Sequence, residues 1–475
     1  MEFQRPTPPA PVRLTVLVGC FVTAVCALLA TVGADADWLA ALGREIAHSW
    51  SIPGGVPFAA ASSAGWHNVP VLGELIFHAL QATFGTRGLV FAQLAAVVGC
   101  LWLLSYDLRR GGVADSPAAL VLFLTAFAAA PALLIVRSQL FSLALFPLLV
   151  VLLRAEARHP SRRVWLLVPL VALWSNLHGG VLLGVAVAGA YLVFSRARQE
   201  RLVAVGVLTG MVVALFATPA LAQTADYYRG VIGSQAAAHG EGMWRPLSLG
   251  APFDVVFLLV AIPLLVLGLR SKPALWEVVV TAGLAVAAVR ASRNEVWLAL
   301  FIAVPAARAL AGSRTWGAVV PRAAASALAG LLVLVAVIGL ARTPSPAGAT
   351  PRLLKAAARS SGGAPILADG VDAEALALAG NRILIGNPLD AFSAREQGLY
   401  LDWLAGRPSG DVEAARVRAI LVIAGSAPDR RLSRRSGFCA IARDNRAVLY
   451  RHPCGGVYWS LSLRPRLVDS SKAPG

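Results

Sequence analysis

The sequence predicts an all-α polytopic membrane bundle of about eleven transmembrane helices, N-terminus inside and C-terminus outside, with a small C-terminal extracytoplasmic α/β domain. Three observations predict it. Of 475 residues, 57% are hydrophobic and 14% charged, whereas a water-soluble domain carries about a quarter charged residues. Apolar runs of about 17 residues or more recur through positions 14–341, each long enough to cross a hydrocarbon core. Lys and Arg collect in short loops at alternate ends of these runs, as the positive-inside bias requires. The formal net charge of +17 therefore reads as anchorage to membrane lipids and excludes a nucleic-acid partner.

Residues 1–13 form a short basic cytoplasmic tail, and the run 14–34 is a retained anchor helix. Ala34-Asp35-Ala36 has the small-residue look of a signal-peptidase site, so a cleaved signal is the alternative. Basic clusters then follow at Arg109-Arg110, Arg154 to Arg163, Arg196 to Arg201, Arg270 with Lys272, and Arg308 to Arg322. Placing all of them inside requires that residues 69–84 do not span; they read as an interfacial amphipathic helix. The domain 14–341 then carries outer loops at 35–87 and 220–251, and outer tips at Arg137–Gln139, Asn176–Gly180 and Arg290–Asn294.

Residues 342–475 form the outer domain. Pro365–Asp369, Arg382–Gly386 and Ala419–Ile423 read as short buried strands, and Asp372–Leu378 and Ser393–Ala405 as helices. Phe438–Arg443 and Arg446–Arg451 flank Asp444-Asn445, a hairpin turn. The domain has 19 Lys/Arg against 11 Asp/Glu, a net of +8, which suits either a solvated face or a surface for anionic lipid or polymer. Cys20, Cys26 and Cys100 fall in apolar helices as core residues. Cys439 and Cys454 lie on or beside the hairpin, where register decides between a disulfide and two thiols.

Lipid cannot satisfy polar side chains, so those at the outer tips mark a site. Asp35 and Asp37 leave the first helix together with Trp38; in an extended segment both face one way and, partly desolvated, gain basicity. Their structural alternative is a polar helix end with an interfacial Trp. Glu74 reads as the solvated side of the interfacial helix or as a second carboxylate facing the cavity. Arg137 and Gln139 occupy an outer tip against the charge bias; a guanidinium there grips phosphate in a forked way or snorkels. Asn176 and His178 offer hydrogen bonds to a sugar hydroxyl or phosphate, or brace the hairpin. Arg290, Arg293 and Asn294 form another outer tip that, like Arg137, binds phosphate or snorkels. On the loop 220–251, which also carries Glu241, the side chains of Trp244 and Arg245 stack on and bind a sugar or phosphate, or pack the loop. Seven histidines show no metal-ligand spacing, so no metal site is expected. GxGxxG, Walker A and HExxH motifs are absent.

Together the stretches Gly33–Trp38, Gly65–Phe77, Arg137-Ser138-Gln139-Leu140-Phe141-Ser142, Trp174–Gly180, Trp244-Arg245-Pro246-Leu247-Ser248 and Arg293-Asn294 resemble the bacterial polytopic GT-C glycosyltransferase-like proteins. The resemblance covers about 14–311. It implies a polyprenyl-phosphate sugar donor, a carboxylate of the first outer loop as base, and basic residues on the lipid phosphate. By match, Asp35 or Asp37 takes the base role and Arg137 and Arg293 the phosphate. Two acidic positions common in relatives are replaced here, by Val56 and by Val69-Pro70.

The expected function is therefore transfer of a sugar from a polyprenyl-phosphate donor to an envelope glycan, lipid or protein at the outer face of a bacterial plasma membrane, with no cofactor. A non-catalytic envelope binding or assembly protein that keeps the fold is the first rival, favoured by the replaced acidic positions. A lipid or solute transporter is the second. Against it stands the scarcity of ionisable residues in mid-helix.

Overall fold

The computed structural model describes residues 13–454 other than 234, 240–241, 312–321 and 343–347. They divide into two compact units, 1–53 with 67–345 and 54–66 with 346–475.

The first unit is helical. In chain order it contains α1 (Leu14–Leu29), β1 (Thr31–Val32), α2 (Ala36–Ser49), α3 (Val71–Phe84), α4 (Thr86–Arg110), α5 (Asp115–Ala128), α6 (Ala130–Leu134) and β2 (Ile135–Val136). Then follow α7 (Leu140–Arg158), α8 (Leu167–Ser175), α9 (Val181–Phe194), α10 (Arg201–Ala214), α11 (Thr224–Ile232) and α12 (Gln235–His239). It closes with α13 (Pro252–Arg270), α14 (Leu275–Arg290), α15 (Glu295–Ala309) and α16 (Arg322–Ala341). Five described helices are long and apolar enough to cross a membrane: Thr86–Arg110, Leu140–Arg158, Val181–Arg198, Pro252–Arg270 and Ala324–Ala341. Shorter apolar helices include Leu14–Leu29, Asp115–Ala128 and Arg201–Ala214.

The outer surface of this unit is apolar. Leu202, Val213, Leu259 and Leu331 stand exposed on their helices, as residues facing lipid do. The middle is α15, buried at every residue from Glu295 to Ala307. Where charge enters the interior it is paired. Arg154 of α7 is buried and donates to Asp107 at 2.7 Å, Glu277 at 3.1 Å and the Phe301 carbonyl at 2.8 Å. It ties α4, α7, α14 and α15 together. The expectation that Arg154 belongs to a headgroup-facing loop is thus corrected: α7 runs on to Arg158, and two carboxylates compensate the cation. Arg196 is likewise buried, against Glu156 and Glu200.

One apolar run is interrupted, and one expectation changes. The run 117–136 is not one helix. It breaks at Ala129; α6 begins with Pro131 in its first turn, and β-branched Ile135 and Val136 continue as β2. That strand pairs in parallel with β1, Thr31 opposite Ile135 and Val32 opposite Val136. Nor is Asp35–Asp37 extended. Asp35 takes a left-handed backbone, φ 83°, which turns the chain straight into α2, so Asp37 lies in that helix's first turn. Residues two apart on a helix do not face the same way.

The second unit holds α17 (Pro351–Ser361), β3 (Ile366–Ala368), α18 (Gly370–Leu378), α19 (Ala394–Leu404), α20 (Asp411–Ala415), β4 (Ala419–Ile423), α21 (Ala427–Leu432), β5 (Cys439–Arg443) and β6 (Ala447–Arg451). The sheet order is β3-β4-β6-β5, with β3 and β4 parallel and β6 antiparallel to both neighbours. Asp444 closes the β5–β6 hairpin by accepting the amides of Arg446 and Ala447 at 2.8 and 2.7 Å. Cys439 and Cys454 form a disulfide. The expected strand Arg382–Gly386 contributes bridges at Ile383, on one side to Ile366 and on the other to Ala59. Residues of the first long loop are therefore built into this sheet.

Candidate functional site

The β1–β2 bridge assembles the site. Gly33 donates its amide to the Val136 carbonyl at 3.1 Å, which carries the ladder one step past Val32. A Cβ at Gly33 would collide with the Ile135 side chain, so the close approach needs glycine. Asp35 then lies beside Arg137. The Arg137 guanidinium donates through Nε and Nη2 to one carboxylate oxygen, at 3.2 and 2.9 Å, and through Nη1 to the Met243 sulfur at 2.7 Å. The strained backbone at Asp35 is held by this pairing.

Arg293 comes from the tip between α14 and α15. Its guanidinium sits 4.1 Å above the Trp244 ring, a cation–π contact, and its carbonyl accepts from Gln139 Nε2 at 3.3 Å. No carboxylate or carbonyl accepts from that guanidinium among the described residues, although both Arg137 and Asp35 act on it electrostatically. Burial, and then Arg137, push Arg293 down to about 10, still a cation at neutral pH.

The two acidic residues differ. Burial raises Asp35, but Arg137 and then Arg293 outweigh it, and the net is downward. Asp35 is a stable counter-ion and a poor base. Asp37 has no charged partner among the described residues, and burial pushes it up to about 6, in the range of a working general base.

His178 lies in the tip between α8 and α9, 8% exposed. Its Nδ1 is 2.6 Å from Ser142 Oγ and 3.2 Å from the Gly180 amide, and Ser142 Oγ accepts from Trp174 Nε1 at 2.8 Å. Burial, with Arg293 next, pushes the imidazole down to about 3.

The remaining expected residues have other work. Asn176 donates to the carbonyls of Ala172 and Ala217, at 2.8 and 2.7 Å, and so braces the hairpin. Asn294 donates to the Ala287 carbonyl. Arg245 grips both Asp254 oxygens, at 2.6 and 2.7 Å. Glu74 is neither solvated nor beside the arginines. It is fully buried, accepts from Asn68 at 2.5 Å, and is pushed up to about 8 by burial. Glu241 lies outside the described residues. Sequence reasoning missed Ser142, Met243 and Tyr227, the last of which acts electrostatically on Arg293. Ser142 ends the Arg-x-Gln-Leu-Phe-Ser stretch and had a signal; the other two had none.

Beside these groups lies a cavity of about 380 Å³. Leu29, Ala132, Leu134 and Phe253 line it together with Arg293, Arg245 and Asp254. It therefore offers apolar contact and a guanidinium in one space. The described residues contain no cluster of three metal-ligating side chains.

No family model matches the chain, and no curated protein sequence matches it. Among solved structures it is similar to the crystal structure of ArnT from Cupriavidus metallidurans bound to undecaprenyl phosphate, at 14% identity over 92% of this chain and 97% of that one, TM-score 0.49. The apo form of the same protein gives 13% identity over the same shares, TM-score 0.49. The arabinofuranosyltransferase AftD from Mycobacteria gives 14% identity over 92% of this chain and 41% of that one, TM-score 0.46.

Proposed function

We propose that this protein is a membrane glycosyltransferase that uses a polyprenyl-phosphate sugar as donor and an envelope molecule as acceptor. The observation that carries the reading is Arg293. It is a desolvated guanidinium with no anionic acceptor among the described residues, stacked on Trp244 at the wall of a largely apolar cavity. A cation in that position is complementary to a phosphate whose chain runs along apolar residues. The motif resemblance supplies the class of donor.

In this reading Arg293 binds the lipid phosphate and stabilises the charge that builds on it as the glycosidic bond breaks. Arg137 assists, held by Asp35. Asp37 takes the proton from the acceptor hydroxyl as that oxygen attacks the anomeric carbon, which inverts its configuration. Activity then rises with pH through about 6, because Asp37 must be ionised.

The test is release of free polyprenyl phosphate by purified protein in nanodiscs given a panel of polyprenyl-phosphate sugars. Release that is lost in Asp37→Asn supports the assignment. Loss in Asp35→Asn with full activity in Asp37→Asn moves the base to Asp35. Donor binding without turnover by any sugar points to the non-catalytic reading, which the absent acidic side chains at Val56 and Val69-Pro70 favour.

A further inference from the structure

Six residues in or just after the two hairpin motifs fit one device. Ser142 ends one motif; Trp174, His178, Gly179, Gly180 and Gly184 belong to or follow the other, and Arg293 faces them. We infer that Trp174, Ser142 and the Gly180 amide lock His178 as the neutral tautomer protonated at Nε2, and that this Nε2–H donates to an anionic oxygen of the lipid-phosphate donor. The inference rests on the functional reading above for its ligand; the tautomer does not.

The direction of each hydrogen bond follows from what each group is able to do. Trp174 Nε1 is only a donor, so Ser142 Oγ accepts from it at 2.8 Å. The Gly180 amide is only a donor, so His178 Nδ1 accepts from it at 3.2 Å and carries no proton. The Ser142 hydroxyl proton is then free to point at Nδ1, 2.6 Å away. Two donors on Nδ1 leave one neutral form, with hydrogen on Nε2. Among the described residues Nε2 has no protein partner, so its proton is available to a ligand.

The glycines are explained by the same geometry. A Cβ on Gly180 would sit 2.7 Å from His178 Nδ1 and 2.8 Å from Ser142 Oγ, inside the relay. A Cβ on Gly184 would lie 2.6 Å from the Trp174 ring. On Gly179 it would meet the Tyr227 hydroxyl at 3.2 Å. The charged groups that act on the ring are Arg293, which opposes protonation most, then Asp35, which favours it, and then Arg137, which opposes it. Their balance and the burial keep the imidazole neutral throughout the working pH range. A cationic His178 would add a third positive charge to the site; a neutral donor adds direction without charge.

The experiment is ¹⁵N NMR of histidine-labelled full-length protein in nanodiscs, with His178 assigned by difference from His178→Gln. The expected spectrum without ligand has Nε2 protonated and Nδ1 bare, unchanged from about pH 5 to pH 8. Trp174→Phe and Ser142→Ala remove one relay donor each and are expected to mix the tautomers or let the ring titrate. Added polyprenyl phosphate is expected to shift Nε2 alone. His178→Gln keeps an N–H near that position and retains lipid binding within about threefold, whereas His178→Leu loses about 10- to 100-fold, as for a hydrogen bond to a charged group. A ring protonated at Nδ1, or titrating near its ordinary value, overturns the lock. Bound lipid phosphate with an unmoved Nε2 overturns the donor role. Failure of the unaltered protein to bind any polyprenyl phosphate refutes the functional reading and the donor role with it, while the ligand-free spectrum still decides the tautomer.

Discussion

Arg293→Gln is the sharpest perturbation of the site, because two measurements should move in different ways. In the ligand-free protein the guanidinium has lost water and gained no anion among the described residues. The fall to about 10 corresponds to roughly 2–3 kcal/mol of unfavourable burial at neutral pH, less screening by solvent at a partly exposed group. The Trp244 contact at 4.1 Å returns about 0.5–2 kcal/mol. These nearly cancel, so the glutamine variant should unfold no more easily than the unaltered protein. With donor bound the cation makes charge-assisted hydrogen bonds, and their loss costs about 1.5–3 kcal/mol. That is about 10- to 150-fold in Kd for polyprenyl phosphate. Arg293→Lys keeps the charge without the planar fork and should fall between. The assays are saturation binding in nanodiscs and a thermal-unfolding scan of the same preparations. Unchanged binding by the glutamine variant, with lowered stability, would show that Arg293 is a packing residue and refute the reasoning.

Three further outcomes follow from other parts of the molecule. Arg154→Ala should cost about 3–5 kcal/mol, since it leaves Asp107 and Glu277 uncompensated in the bundle; a denaturation series in detergent with undiminished stability would contradict that. In the second unit, burial with Asp372 pushes Asp369 up to about 7, and burial pushes Asp372 up to about 6. The folded unit therefore binds more protons than the unfolded chain between about pH 4 and 7, and its stability falls by about 2–4 kcal/mol as pH rises through that window. Hydrogen exchange of β3 and β4 in the full chain should show the slope, and Asp369→Asn should flatten it. The Cys439–Cys454 bond closes a loop of 15 residues, worth about 3 kcal/mol in the chain-entropy account. Cys454→Ser should lower the protection of β5 and β6 by that order and leave the helices of the first unit unaffected.

The elements most legible in the sequence were those governed by one local rule. Alternate basic loops and long apolar runs announce helices, and Asp444-Asn445 between two β-branched and aromatic stretches announces the hairpin. The residues of the site were named in large part for the same reason: polar groups at apolar tips need partners. Which partners they have was not legible. Asp35 and Arg137 are 102 residues apart and meet through a two-residue parallel ladder, shorter than any strand that periodicity detects. The Asp35–Asp37 spacing misled because a left-handed residue turned an extended segment into a helix start. Arg245 looked like Arg293 in sequence; only the position of Asp254 separates a satisfied cation from an unsatisfied one. Burial of Glu74 depends on α2 and Asn68, neither of which its own helix reveals.

The same long loop bears on topology. Residues 58–61 exchange backbone hydrogen bonds with Ile383 and Leu384 inside the second unit: Ile383 donates to Phe58, and Ala60 and Ala61 donate to Ile383 and Leu384. A sheet folds on one side of a membrane, so the chain between residue 61 and residue 383 must cross an even number of times. Among the described helices of that interval five are long and apolar enough to cross a membrane: Thr86–Arg110, Leu140–Arg158, Val181–Arg198, Pro252–Arg270 and Ala324–Ala341. Five crossings would leave the two halves of the sheet on opposite sides of the bilayer, so an odd number of further segments has to cross as well. The shorter apolar helices in the same interval are Val71–Phe84, Asp115–Ala128 and Arg201–Ala214. Of these α3 suits a span least, with 14 residues and a buried Glu74.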